Sequence, residues 1–226
     1  MKTSINFQSA ANDYLFLLDQ GYPQKSILKL VGDRYKLSGG ERSMLYRGIS
    51  KKLENNGRKG KIHNGSIAEN KLFIDAFNQL ITIASYLNGS MVFISTDGFL
   101  RDASEIHGKL FRKNLLKRSV ELVIEFIKYS SPGSVEFVVD EQISKHQMIF
   151  DSIIDFNNSS EIKCSVELTD KADRYLIQRP VGLIATSDSQ IIDKSELPVF
   201  DLAWNTLHYF YKPKIFKIKP LLRPEN

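Results

Sequence analysis

The chain holds a single cysteine, Cys164, among 226 residues. That excludes an internal disulfide framework and a metal cluster built on thiolates, and it points to a reducing compartment. Histidine is scarce too. His63, His107, His146 and His208 are scattered without ligand spacing, which argues against an imidazole zinc site. No apolar run approaches the length needed to cross a bilayer, and the opening MKTSINFQSAANDY lacks the apolar centre of a signal peptide. A cytoplasmic protein that does not engage membranes is therefore expected. Glycine-rich nucleotide loops are missing as well. With no GxxxxGK[ST] anywhere and no GxGxxG after a strand, neither a P-loop nucleotidase nor a dinucleotide-binding unit fits.

What remains is ordinary for a globular chain: 42% hydrophobic and 25% charged residues, enough for one full core with a small appended domain. The formal net charge is +5. Its distribution is uneven, with basic clusters at Lys51–His63, Lys109–Arg118 and Lys212–Arg223. Such clusters suit a polyphosphate partner, because each neutralised phosphate releases counterions. The plainer reading of any one cluster is a solvated face.

The first fifty residues read as helical. NDYLFLLDQ carries Tyr14, Leu15, Leu17 and Leu18 on one stripe, and Gly21 stops it. Pro23 opens PQKSILKLVGDRY, with Ile27, Leu28, Leu30 and Val31 inward. A third helix starts at Ser38, where SGGE forms a capping box with Glu41. LSGGER resembles the signature of ABC-type ATPases, but without a phosphate loop the helix cap is the better reading. The spacing thus predicts a helical unit over 1–54, a polar, basic linker over 55–69, and an α/β unit over 70–226 with a basic tail.

In that unit KLFID, MVFIS, VEFVVD, KCSVEL and GLIAT read as buried strands, with LPVFD as a short sixth. Helix candidates lie near 76–87, 103–129, 145–156, 170–179 and 202–210. The alternation predicts an α/β fold with a mostly parallel central sheet flanked by helices.

Ligands of open parallel sheets bind beyond the carboxyl ends of the strands. Acids stand there repeatedly: Asp75 after KLFI, Asp97 and Asp102 after MVFIST, Asp140 after VEFVV, Asp170 and Asp173 after KCSVELT, Asp188 and Asp193 after GLIATS. A single strand-end aspartate is usually a helix cap, and Asp170 reads that way. Several at one edge repel each other unless a divalent cation neutralises them. Oxygen-only ligands favour Mg²⁺ or Mn²⁺, which can activate water against a phosphodiester.

FIDAFN resembles the first-strand motif of PIN-like nucleases, especially their NYN subgroup; TDKADRYL resembles their third motif, and LIATSDSQIID their fourth. Together these span roughly residues 70 to 200. Separately, GYPQKSILKLVGDRYKLSGGERSMLYRGI with DGFLRDASEIHG is similar to a prokaryotic family whose helical part is called domain of unknown function 434, paired there with a PIN-like part. The resemblance implies that Asp75, Asp173 and Asp188 bind the metal, that Asn78 holds a water or phosphate oxygen, and that Ser187 orients Asp188. PIN-like nucleases place a further acid on an intervening helix. Asp102 is the first choice for it, then Asp97 and Asp140.

Other polar residues carry two readings. Arg101 meets phosphate or forms an internal ion pair. His107 and Arg112 line the site or belong to a basic helix face. Ser144, Lys145 and His146 meet phosphate, or Ser144 caps a helix. Trp204, with Leu207 and Phe210 at helical spacing, reads as core rather than as a base-stacking platform. The expectation is a metal-dependent nuclease acting on RNA in preference to DNA. Its competitors are a nucleic-acid-binding module with a decayed metal site, and a helix-turn-helix DNA binder. A homo-oligomer is compatible with the chain, but nothing in the sequence specifies one.

Overall fold

The structure, a computed structural model, describes residues 3–103, 114–142, 147–157 and 161–219. His107, Arg112, Ser144, Lys145, His146 and the end of the basic tail lie outside them. No helix among the described residues is long and apolar enough to cross a membrane.

Four helices come first: α1 (Phe7–Asp19), α2 (Gln24–Arg34), α3 (Gly39–Gly48) and α4 (Lys52–Gly60). Tyr14, Leu15 and Leu18 of α1 meet Ile27 and Val31 of α2 and Met44 and Leu45 of α3 in one apolar cluster. Leu30, expected inward, faces solvent. The α3 cap is reciprocal as the sequence implies: the Glu41 amide donates to the Ser38 hydroxyl, and the Ser38 amide donates to the Glu41 carboxylate.

The fourth helix departs from the sequence reading. KLENNGRKG is polar and holds two glycines, so local preference favours a linker. Tertiary contacts decide otherwise. The Arg58 guanidinium is buried against acids from distant segments, and the Asn55 side-chain amide donates to the Ser50 carbonyl. Beyond α4 the chain is pinned rather than loose. The Lys61 ammonium donates to the carbonyls of Ile192, Asp193 and Ser195, and Ile62 bridges Val199.

The main sheet is four-stranded and parallel, in the order β5-β4-β1-β6: β1 (Lys71–Asp75), β4 (Ser134–Asp140), β5 (Lys163–Thr169) and β6 (Leu183–Ala185). Side chains alternate across it. Leu72, Ile74, Val135, Phe137, Val139, Leu183 and Ala185 face a large core. It is covered by α5 (Ala76–Leu87), α6 (Leu115–Ser130), α7 (Gln147–Asn157) and α10 (Leu202–Tyr211). Phe73, Val138 and Ile184 face the other way, under α8 (Ala172–Ile177) and α9 (Ser189–Lys194). LPVFD contributes only isolated bridges through Val199 to Ile184 and Ile62. On α10, Leu207 is core and Trp204 packs against it, while Phe210 is partly exposed.

MVFIS does not join the main sheet. Its core, β2 (Val92–Ile94), turns back through Gly98 into the antiparallel strand β3 (Leu100–Asp102), and β7 (Phe216–Lys217) pairs on its other side. Gly98 sits at φ +96°, a conformation glycine adopts without steric cost. This small sheet joins the helical unit to the α/β unit. At the junction, a Cβ on Gly48 would stand 2.5 Å from Ile218 Cδ1 and 2.6 Å from Phe93 Cε2, so any larger residue would force these side chains to shift.

Candidate functional site

Because Ile74 pairs with Ala185 in parallel register, the next residues, Asp75 and Thr186, emerge side by side at the carboxyl edge. The buried Thr186 hydroxyl donates to Asp75 Oδ2 at 2.7 Å and accepts from the Asp188 amide at 3.0 Å. One hydroxyl therefore ties two of the expected acids together. Asp188 goes on to cap α9, its Oδ1 accepting from the Gln190 and Ile191 amides.

The electrostatics place two more acids at this edge. The Asp75 carboxyl is pushed up to about 7, chiefly by burial and further by the negative charges of Asp188 and Asp173, against the Thr186 hydrogen bond. Asp173, in the first turn of α8, is also raised, by partial burial and then by Asp188 and Asp140, with Lys194 opposing. Asp140 ends β4, and its Oδ1 accepts from the Gln142 amide. Asp75, Asp140, Asp173 and Asp188 thus share one neighbourhood. Asp170 does not cap α8; the preceding position is Lys171, with no side-chain cap.

These acids offer hard oxygen donors of the kind Mg²⁺ or Mn²⁺ takes, and their mutual repulsion is the condition a cation relieves. In chemistry they suit a divalent ion. They are not drawn into a ligand cluster, however: among the described residues no three Asp, Glu, His or Cys side chains are gathered closely enough to hold a metal.

Asn78 serves the loop that carries Asp188. Its Oδ1 accepts from the Ser187 amide at 2.9 Å and the Ser187 hydroxyl at 3.0 Å, and from Gln79 Nε2 at 2.8 Å. The Ser187 hydroxyl is therefore turned to Asn78, and it is Thr186 that contacts Asp188. From the other side, Arg101 Nε donates to the Ser187 carbonyl at 2.9 Å.

Arg101 is buried and makes the internal ion pair. It grips Asp97 through two bonds of 3.1 and 2.8 Å. Asp97 is wholly buried on the β2–β3 turn. Burial opposes its charge, but Arg101, Ser95 and Arg58 outweigh that and hold its carboxyl below the usual range. Arg58 reaches Asp97 at 3.2 Å and grips Asp193 through two bonds of 2.7 Å. Asp97 and Asp193 are thus partners of arginines. So is Asp102. Because it lies on β3, in the second sheet, its buried carboxylate meets Arg47 at 3.2 Å instead of the acids of the main sheet.

Three contributors carried no sequence signal of their own, and a fourth, Asp201, only a local one. Thr186 was one hydroxyl in ATSDS. Gln79 is hidden in α5, where its Oε1 accepts from the Ala203 amide. Arg58 sat in a stretch that reads as linker. Asp201 accepts from the Leu100 and Trp204 amides, and burial pushes its carboxyl up to about 6. The spacing of Asp201 before LAWN is a helix-start signal, but its bond to β3 is not local.

Beside the edge opens a cleft of about 650 Å³. Asn78, Ser187, Asp188 and Gln190 line it on the α/β side, and Tyr22, Tyr46, Arg47 and Lys51 on the helical side.

The family model described as "Domain of unknown function (DUF5616)" matches residues 64–205, more than half of the chain. The chain belongs to the DUF5616 family. Its helical unit matches a second model, "Protein of unknown function (DUF434)", over residues 6–61, in keeping with the resemblance of GYPQKSILKLVGDRY and its continuation. The DUF5616 match covers every acid of the sheet edge, while Tyr22, Tyr46, Arg47 and Lys51 fall in the DUF434 part. The chain is similar to "Uncharacterized protein MJ0935" of Methanocaldococcus jannaschii, 26% identical over 210 residues, which cover 92% of this chain and 100% of that one. No solved structure matches.

Proposed function

We propose that the chain is a metal-dependent nuclease of PIN-like type that hydrolyses phosphodiesters, RNA in preference to DNA. The observation that supports it is the placement of Asp75, Asp173 and Asp188 within electrostatic reach of one another at the carboxyl edge of a parallel sheet, with Asp140 next to Asp173, and Asp75 raised chiefly by burial and further by Asp188 and Asp173. Asp75, Asp173 and Asp188 would hold a Mg²⁺ or Mn²⁺ ion, with Asp140 on the Asp173 side. Such an ion acidifies water and offsets charge on a phosphodiester. The chain's own residues set the acids in place. Thr186 bonds to both Asp75 and the Asp188 amide, and Asn78 and Arg101 hold Ser187 from its two sides, just ahead of Asp188. Lys51 and Arg47, which line the cleft, would meet phosphates.

The test is Mn²⁺-dependent cleavage of an unstructured oligoribonucleotide by the full chain. Asp188→Asn should abolish it while the circular dichroism spectrum stays that of the parent. Cleavage that persists in this variant belongs to a contaminant or another site, and the assignment falls.

One observation favours a second reading. The carboxylates are not gathered in metal-holding geometry among the described residues, as a binding module without chemistry would allow. For such a module, Mn²⁺ leaves the melting temperature unchanged although RNA still binds.

A further inference from the structure

The nuclease reading accounts for the acids but not for the opposite wall of the cleft. That wall comes from the helical unit: Tyr22 and Pro23 between α1 and α2, Tyr46 and Arg47 on α3, and Lys51 before α4. Its two tyrosines are unlike the buried Tyr14 nearby. Tyr22 is 59% exposed and Tyr46 42% exposed, and both line a cavity whose other lining is mostly polar, with Leu18, Pro23 and Ile49 the apolar exceptions. Among the described residues no ring stacking is seen for either, so both leave aromatic surface in water along this cleft.

Charge alone does not identify the occupant. The cleft is lined by Arg47, Lys51, Arg58 and Arg101 against Glu54, Asp188 and Asp193. Arg58 is bound to Asp193 and Arg101 to Asp97, so those two are consumed internally. Lys51 is left for a ligand, together with the partly exposed Arg47, whose Nη1 is engaged by Asp102. Two cations give a shallow dependence on salt, with a slope of about 1.4 in log–log form for a single strand. The affinity must come mainly from another source, and exposed tyrosines supply one that works on any base. The volume suits a ligand of nucleotide size.

We propose that this cleft binds unpaired nucleotides of a single strand, with bases stacked on Tyr22 and Tyr46 and phosphates met by Arg47 and Lys51. A duplex keeps its base faces in its own stack and cannot use the tyrosines, so the wall selects single strands. The acid edge adjoins the cleft through Asn78 and Asp188, and the strand leads from the tyrosines to those acids; this last step rests on the nuclease reading. The helical unit is then the part that chooses the substrate.

The experiment is fluorescence anisotropy of a labelled, unstructured oligoribonucleotide with the full chain in EDTA, beside cleavage assays in Mn²⁺. The double variant Tyr22→Ala/Tyr46→Ala should bind about 10- to 100-fold more weakly, the loss expected for base–aromatic stacking. Tyr22→Phe/Tyr46→Phe keeps the ring faces and should bind within about twofold of the parent. A duplex of the same sequence should bind far more weakly than the single strand. In cleavage, the alanine pair should raise KM with little change in kcat, whereas Asp188→Asn should lose kcat and keep binding. The proposal is overturned if the parent fails to bind the single strand, if the alanine pair binds as the parent does, or if duplex binds equally well. The two readings separate cleanly. Stacking-dependent binding without cleavage leaves this proposal standing and removes the nuclease; cleavage with an unchanged KM in the alanine pair does the reverse.

Discussion

The Thr186 hydroxyl donates to the Asp75 carboxylate at 2.7 Å, and its oxygen receives the Asp188 amide at 3.0 Å. Thr186→Val keeps the shape and removes both interactions. The Asp188 amide then loses its acceptor, at a cost of about 1–3 kcal/mol if no water replaces it. Asp75 loses a bond that favours its charged form, so its pKa should climb above that of the parent. Urea denaturation and carbon-detected NMR titration of Asp75 check the two effects, and Thr186→Ser should restore both. An unchanged Asp75 titration in the valine variant would show that the hydroxyl does not tune this acid.

Arg101 joins Asp97, Ser187 and the Arg47 carbonyl inside the protein. Removing its guanidinium leaves the wholly buried Asp97 with Arg58 as its remaining arginine partner. Arg101→Met should therefore destabilise by about 3–5 kcal/mol. The exposed pair Arg42–Asp33 is the control, with side chains 29% and 60% exposed. Asp33→Ala should cost less than about 1 kcal/mol. If chemical denaturation gives equal costs for the two variants, the buried network is not what secures the Asp188 loop.

Gly48 tests the junction between the two units. Alanine is the better helix former by about 1 kcal/mol, yet its methyl would collide with Ile218 and Phe93. Overpacking of this kind costs about 1–3 kcal/mol, so Gly48→Ala should destabilise on balance. Ile218→Val removes the Cδ1 atom that stands closest and should recover part of the loss. A stabilised Gly48→Ala protein would mean that the helical unit does not press on the small sheet.

Asp201 gives a pH signature. Its folded pKa, pushed to about 6, lies above the ordinary carboxylate value, so the folded state holds its proton more tightly than the unfolded chain does. Its stabilising contribution is complete below about pH 4 and is lost as pH rises through about 6. Asp97 is depressed and acts in the opposite sense, contributing above the ordinary carboxylate range and losing that contribution as pH falls. The stability difference between the parent and Asp201→Asn should therefore shrink by about 2 kcal/mol between pH 4 and 7. Denaturation at stepped pH measures it; a difference that grows with pH contradicts the assignment.

Much of this architecture is legible in the chain because the signals are local. Pro23, the Ser38–Glu41 box and the apolar runs ending in Asp75, Asp140 and Asp188 mark their elements through short-range preferences. What the sequence hides is pairing over distance. MVFIS has the same apolar character whether it joins the parallel sheet or turns back through Gly98, and only the second choice carries Asp97 and Asp102 away from the main edge. Arg58 looks like one more solvated cation in KLENNGRKG until Asp193, far along the chain, closes on it. The first-ranked fourth acid, Asp102, is displaced for this reason, while Asp140, ranked below it, stands beside Asp173 because β4 is central in the sheet.

That exchange is testable through metal binding. With Asp140 beside Asp173 and Asp102 held by Arg47, the two acids should respond differently to Mn²⁺ if the proposed ion binds. Ligand binding raises the melting temperature in proportion to its preference for the folded state. Asp75→Asn and Asp188→Asn should abolish the Mn²⁺-induced rise, and Asp140→Asn should reduce it, a tenfold loss of affinity removing about 1.4 kcal/mol of the stabilisation at saturating ion. Asp102→Asn should lower the starting melting temperature, because Arg47 loses its buried partner, yet keep the full Mn²⁺ response. If Asp102→Asn loses the response and Asp140→Asn retains it, the small sheet supplies the fourth ligand after all, and Arg47 must give way when the ion arrives.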